Sequence, residues 1–170
     1  MQNANQNGLF GFINTSTPTN TLFWATLISG VLDALAAIVV YYAFFKLNPV
    51  QIYQFVASGI LDKAAYSGGL GTALLGLGIH FLIAFVAAYV FFQLYPNMAL
   101  LRQNGYAVGL VYGAVIWAFM NLVVIPYLSK IPPAPFDTVA VLGILWHMVL
   151  VGLPIVLIVE KYYRQKGELG

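Results

Sequence analysis

An all-α, integral membrane four-helix bundle, with an additional interfacial amphipathic helix between the first and second spans, is the fold this sequence predicts. Three observations predict it. Four apolar runs are each long enough to cross a bilayer, 61% of the 170 residues are hydrophobic, and only 7% are charged. Soluble domains hold about a quarter charged residues and about half apolar ones. A water-soluble fold of this size leaves too large a share of its surface wet to hide so much apolar side chain. Lipid is therefore the solvent for most of the chain, and the bilayer is its first expected partner.

A span needs about 20 mainly apolar residues to cross a hydrocarbon core about 30 Å thick. Residues 22–45 meet this with a single charge, Asp33. Residues 69–94 hold His80 and no formal charge, residues 107–128 hold none, and residues 139–159 hold only His147 as a titratable group. In lipid each run must satisfy its own backbone, so each reads as helix and not strand. Residues 1–20 contain no Lys or Arg and are rich in Asn, Gln and Thr. They do not read as a secretory signal but as a mobile polar tail, with Leu9 to Ile13 touching the interface. Residues 164–170 form a second polar tail, and residues 21–163 a single transmembrane domain.

The connections follow from their composition. Residues 97–104 join the second and third spans tightly, which makes those helices antiparallel neighbours. The loop at 129–137 holds Pro132, Pro133 and Pro135, which favour extended backbone. The first connection is longer. Asn48 is a good N-cap and Pro49 fits the first helical position, so residues 49–66 are expected to be helical. Ile52, Phe55, Val56, Ile60 and Leu61 share one broad face, with Gln51, Gln54, Ser58, Asp62 and Lys63 largely elsewhere. That pattern fits an amphipathic helix lying in the interface. Gly68 and Gly69 then allow the turn into the second span. Trp24, Tyr41, Tyr42, Tyr95, Tyr106, Tyr127, Tyr162 and Tyr163 lie near span ends, where amphipathic rings favour the headgroup level.

Charge and cysteine usage narrow the function. A net charge of +2 without a basic tract gives no reason to expect nucleic acid. There is no cysteine, which removes disulfide and thiol chemistry. Arg102, Lys161, Arg164 and Lys166 fall on the side of the termini, against Lys46, Lys63 and Lys130 on the other. The bias places both termini in the cytoplasm of a multi-pass protein. The sequence has no HExxH, GxSxG, phosphate-binding or dinucleotide motif, so no catalytic residue is assigned and the balance is against an enzyme.

Small residues mark the helix contacts. Gly105, Gly109 and Gly113 recur every four positions in the third span, and Gly69, Ala73 and Gly76 run down the second. Such stripes let backbones approach closely in lipid. Close packing within the bundle is the first reading, and a homodimer through the third span, or a larger membrane complex, the alternative.

Asp33, His80, Asn121 and His147 are the polar residues that stand apart, one on each span. Asp33 lies near mid-span. His80 and His147 fall about 3 Å, and Asn121 about 6 Å, from the centre of their spans at 1.5 Å rise per residue. Because helix direction alternates, the last three are displaced toward the same side. The four are therefore expected to form one interior layer, with Asp33 and a histidine sharing a proton, since intramembrane charges face the interior and pair. Three readings compete for this cluster: a hydrogen-bonded layer in a structural or accessory bundle; a proton-coupled unit or small transporter using Asp33, His80 and His147; and a metal- or haem-binding subunit with His80 and His147 as ligands. The sequence assigns no cofactor among them.

The succession Gly30-Val31-Leu32-Asp33, Asn48-Pro49, Ala57-Ser58-Gly59, Ile79-His80-Phe81, Met120 to Pro126 and His147 to Pro154 resembles small bacterial inner-membrane proteins of unknown function. The half from His80 onward is distantly similar to the YagU-like family. The resemblance implies a four-span protein of the bacterial inner membrane and carries no activity with it.

Overall fold

The computed structural model describes residues 9–129, 132–133 and 135–167. Residues 1–8 and 168–170 of the two tails, and Lys130 of the proline-rich loop, lie outside the described residues. Four helices are long and apolar enough to cross a membrane: α1 (Pro18–Phe45), α3 (Gly69–Leu94), α4 (Gly105–Leu128) and α5 (Thr138–Lys166). A shorter helix, α2 (Pro49–Leu61), lies between α1 and α3. No strand occurs among the described residues.

Local chemistry sets the helix starts. Thr17 caps α1 by accepting a hydrogen bond from the Asn20 amide, with Pro18 in the first turn. The helix thus begins four residues ahead of the apolar run at 22–45, because a cap signal and not hydropathy decides where winding starts. Asn104 and Asp137 cap α4 and α5 in the same manner. Asn48 and Gln51 form a reciprocal capping box at α2. Asp62, at φ 50°, ends α2, and the rest of the expected 49–66 helix becomes a 3₁₀ turn at Asp62–Ser67.

The two ends of the bundle are built differently. At the end carrying both termini, Phe91, Tyr95, Ile155, Val156, Ile158 and Val159 are fully buried in one apolar core. The segment before α1 belongs to this core and is not a free tail. Ile13 and Thr15 are buried, and the Lys161 ammonium donates to the carbonyls of Phe10, Gly11 and Ile13 at 3.0, 3.0 and 2.7 Å. Tyr95, Tyr162 and Tyr163, expected at the headgroups, are buried there as well, whereas Tyr42, Tyr106 and Tyr127 are exposed.

At the far end α2 fills the groove beside α1 and α3. It crosses α3 at Gly76, where a Cβ would fall 1.8 Å from the Tyr53 carbonyl oxygen. Its buried face is Ile52, Tyr53, Gln54, Ala57 and Ser58, while Phe55 and Ile60 are exposed. Gln54 and Ser58, read as solvent-side residues, therefore turn inward, and Gln54 donates to the Gly69 carbonyl at 3.1 Å. The small residues of α3 leave room for the α2 backbone itself, which brings its polar side chains along.

Two further expectations are corrected. Gly69 is not a packing glycine: nothing lies within 4 Å of its Cβ position, and its φ of +57° shows that it serves the turn into α3. Nor are α3 and α4 packed neighbours despite their short connection. α4 lies along α5, α3 lies along α1 and α2, and α3 meets α4 chiefly through Tyr112, whose hydroxyl donates to the Ala87 carbonyl at 2.7 Å. The glycine stripe of α4 explains this preference. Cβ atoms at Gly109 and Gly113 would fall 2.9 Å from the Leu153 Cα and 2.1 Å from the His147 carbonyl oxygen, so α4 can close on α5 more tightly than on α3. Gly105 likewise faces the buried Glu160 of α5.

Candidate functional site

Prolines shape the site first. A proline within a helix lacks the N–H for the i−4 bond and its ring crowds that carbonyl. Pro126 and Pro154 each follow a wide π turn, Met120–Val124 in α4 and His147–Gly152 in α5. The residue before each proline bonds five positions back, Ile125 to the Met120 carbonyl and Leu153 to the Met148 carbonyl. Such turns relieve the clash by adding a residue to the winding, and they recur at functional positions. Here one contains Asn121 and the other begins at His147.

Three of the four expected residues come together. Asp33 Oδ2 lies 3.9 Å from His80 Nδ1, and Asp33 Oδ1 lies 3.7 Å from His147 Nε2. Each imidazole is anchored by its other nitrogen. His80 Nε2 is 2.9 Å from the Gly30 carbonyl oxygen and His147 Nδ1 is 2.8 Å from the Gly143 carbonyl oxygen. A carbonyl oxygen only accepts, so both of these nitrogens carry hydrogen. The nitrogen turned toward Asp33 is then the one free to gain or lose a proton. Each histidine addresses a different oxygen of the same carboxylate. The arrangement is therefore a chain, His80–Asp33–His147, in place of a common focus. Among the described residues no group of three His, Asp or Glu side chains could hold a metal ion.

Asn121 does not join the chain. Its amide donates to the Trp117 carbonyl, 2.9 Å away on its own helix. Its position is taken by Trp146, which the sequence reading missed: the indole Nε1 donates to Asp33 Oδ1 at 2.8 Å. Its signal was available in its place beside His147 on a helix long and apolar enough to cross a membrane, since a buried indole needs an acceptor. The Trp146 ring also stacks on His147 and meets Tyr41 edge-on, with centroids 5.4 and 6.4 Å apart. Tyr53 of α2 stands edge-on to His80 at 6.0 Å. The side chains of Asp33, His80 and His147 retain 21%, 15% and 13% exposure, so the chain is not sealed off.

The distances fix what the site can do. At 3.7 and 3.9 Å the carboxylate is within ion-pair range of both rings but beyond a direct hydrogen bond, the range where a bridging water or a small side-chain shift completes the link. With both imidazoles neutral, lone pairs face a carboxylate, and one proton shared among the three groups makes their net charge zero. No protein family, curated protein or solved structure matches this chain.

Proposed function

We propose that this chain is a multi-pass membrane protein acting as a proton-coupled unit, with His80–Asp33–His147 as an intramembrane proton-exchange chain and Trp146 positioning its carboxylate. One observation carries the reading: each imidazole donates one N–H to a backbone carbonyl and turns its other nitrogen to a different oxygen of Asp33. A layer serving only to fix helix register needs a single direct bond per pair. Ionisable groups held inside a membrane bundle, addressable in series, mark ion and proton pathways, and imidazole exchanges protons near neutral pH. The membrane is assigned to the bacterial inner membrane by the sequence resemblance. The termini are assigned to the cytoplasm by the bias of Lys and Arg toward that end. α2 is assigned to the far interface, with its exposed Phe55 and Ile60 turned to lipid.

Infrared difference spectroscopy of the purified protein in lipid, stepped between about pH 5 and pH 8 where imidazole changes charge, tests this. Wild type should show carboxyl and imidazole bands changing together. Asp33→Asn should remove the carboxyl component and alter the imidazole component. If Asp33→Asn leaves the imidazole bands unchanged while lowering thermal stability, the three residues are a structural layer and the proposal fails.

A further inference from the structure

The chain of groups has a roof and a floor of opposite character. Above Asp33, toward the far end, stand rings with polar tips. Tyr41 lies two helical turns up α1, with its ring edge-on to Trp146. Asp137 is the exposed N-cap of α5 at the far surface. Tyr53 stands edge-on to His80. Trp146 thus joins the ring of Tyr41 to the carboxylate, meeting the one edge-on and donating its indole N–H to Asp33 Oδ1.

Below Asp33 the composition changes. Ala25 and Ser29 of α1, Ala88 and Phe91 of α3, and Val151 and Ile155 of α5 are all buried. The Ser29 hydroxyl is already bonded to the Ala25 carbonyl at 2.6 Å, and Tyr112 to the Ala87 carbonyl. Thr26 Oγ1 is buried without a hydrogen-bond partner. An ion crossing this layer would leave its hydration behind for a length of about 12 Å, eight residues at 1.5 Å each, with only the Ser29 and Thr26 hydroxyls to replace it, which is costly for a charge.

We infer that the site is a one-sided well: ions reach Asp33 from the far end, past Tyr41, Tyr53 and Trp146, while the apolar layer around Ser29 and Phe91 closes it toward the termini. The inference rests on the proton-exchange reading only for the identity of the ion. A permanent pore is thereby excluded for this conformation, and release toward the terminal side requires the floor to move.

The absence of native cysteine makes the test direct. Single cysteines are introduced as Tyr41→Cys, Asp33→Cys and the nearly isosteric Ser29→Cys. Gln51→Cys and Gln103→Cys serve as references for the far and terminal sides. Each is treated with a membrane-impermeant, charged methanethiosulfonate in vesicles of the two orientations. Tyr41→Cys and Asp33→Cys should react at least about tenfold faster in the orientation where Gln51→Cys reacts, because an apolar layer excludes a charged reagent. Ser29→Cys should react in neither. Equal rates from both sides, labelling of Ser29→Cys from the terminal side, or labelling of position 33 only by a membrane-soluble maleimide would overturn the well. Far-side labelling without infrared proton exchange leaves the well standing and removes the proton-coupled reading. Proton exchange with terminal-side labelling does the reverse.

Discussion

α4 and α5 each open into a π turn just ahead of a proline, yet only one of the two turns is packed. In α5 the turn buries Val151 and Gly152 and lies against Gly109 and Gly113 of α4. In α4 the turn buries no residue. The local cause is the same, a proline that cannot close the α-helical ladder. The consequence differs because glycine lines the approach to one and not the other. The packed turn orients His147 onto Asp33, while the unpacked one leaves Asn121 bonded within its own helix. A distortion becomes a site only where a second helix holds it.

The comparison breaks most sharply at Gly113. A side chain there meets the His147 carbonyl oxygen at 2.1 Å and the Met148 Cα at 2.5 Å, and backbone cannot step aside as a flexible side chain can. Gly113→Leu should destabilise the protein by about 3 kcal/mol, the upper part of the range for overpacked cores, read as a lowered thermal midpoint in detergent. A midpoint within error of wild type would mean that α4 and α5 are not in this contact.

A smaller effect separates the two prolines. Pro154→Ala restores the missing N–H and favours a regular helix, which re-registers the residues around Gly152 against α4. It should cost about 1–3 kcal/mol, as misfitted cores do, and change Trp146 fluorescence, since its indole is bonded to Asp33. Pro126→Ala acts on an unpacked turn and should stay within about 1 kcal/mol of wild type, with little spectral change. Equal losses from the two variants would remove the distinction between the turns.

The smallest expected effect is at Asn121. Asn121→Leu removes only a bond to its own helix, so stability should move by less than about 0.5 kcal/mol, and the infrared response of Asp33 and the histidines should persist. Loss of that response would return Asn121 to the cluster.

The apolar runs, the Asn48 cap of α2 and the meeting of Asp33 with two histidines were legible in the sequence, for reasons that need no tertiary detail. Apolar length is a one-dimensional property, an N-cap is read from a few adjacent residues, and an intramembrane charge has few places to go except to a partner inside. Other features depended on which surfaces meet. Tyr95, Tyr162 and Tyr163 have the sequence signature of headgroup anchors, but they are buried because the segment around Ile13 folds back over the terminal end. Gln54 turned inward because Gly76 admits the α2 backbone. The short connection between α3 and α4 suggested that they pack, yet the glycine stripe of α4 sends it to α5.

The sequence by itself determined that this chain carries four helices long and apolar enough to cross a membrane, with Asp33, His80 and His147 each on a different one. Only the tertiary structure decided that Trp146 and not Asn121 completes the Asp33 site, and that the site is roofed by rings and floored by apolar side chains. The physical reason is range. Hydropathy and capping act over a few residues or along one helix, whereas a 2.8 Å bond across 113 residues of sequence depends on the rotation and close approach of whole helices, and small residues on both partners set those together.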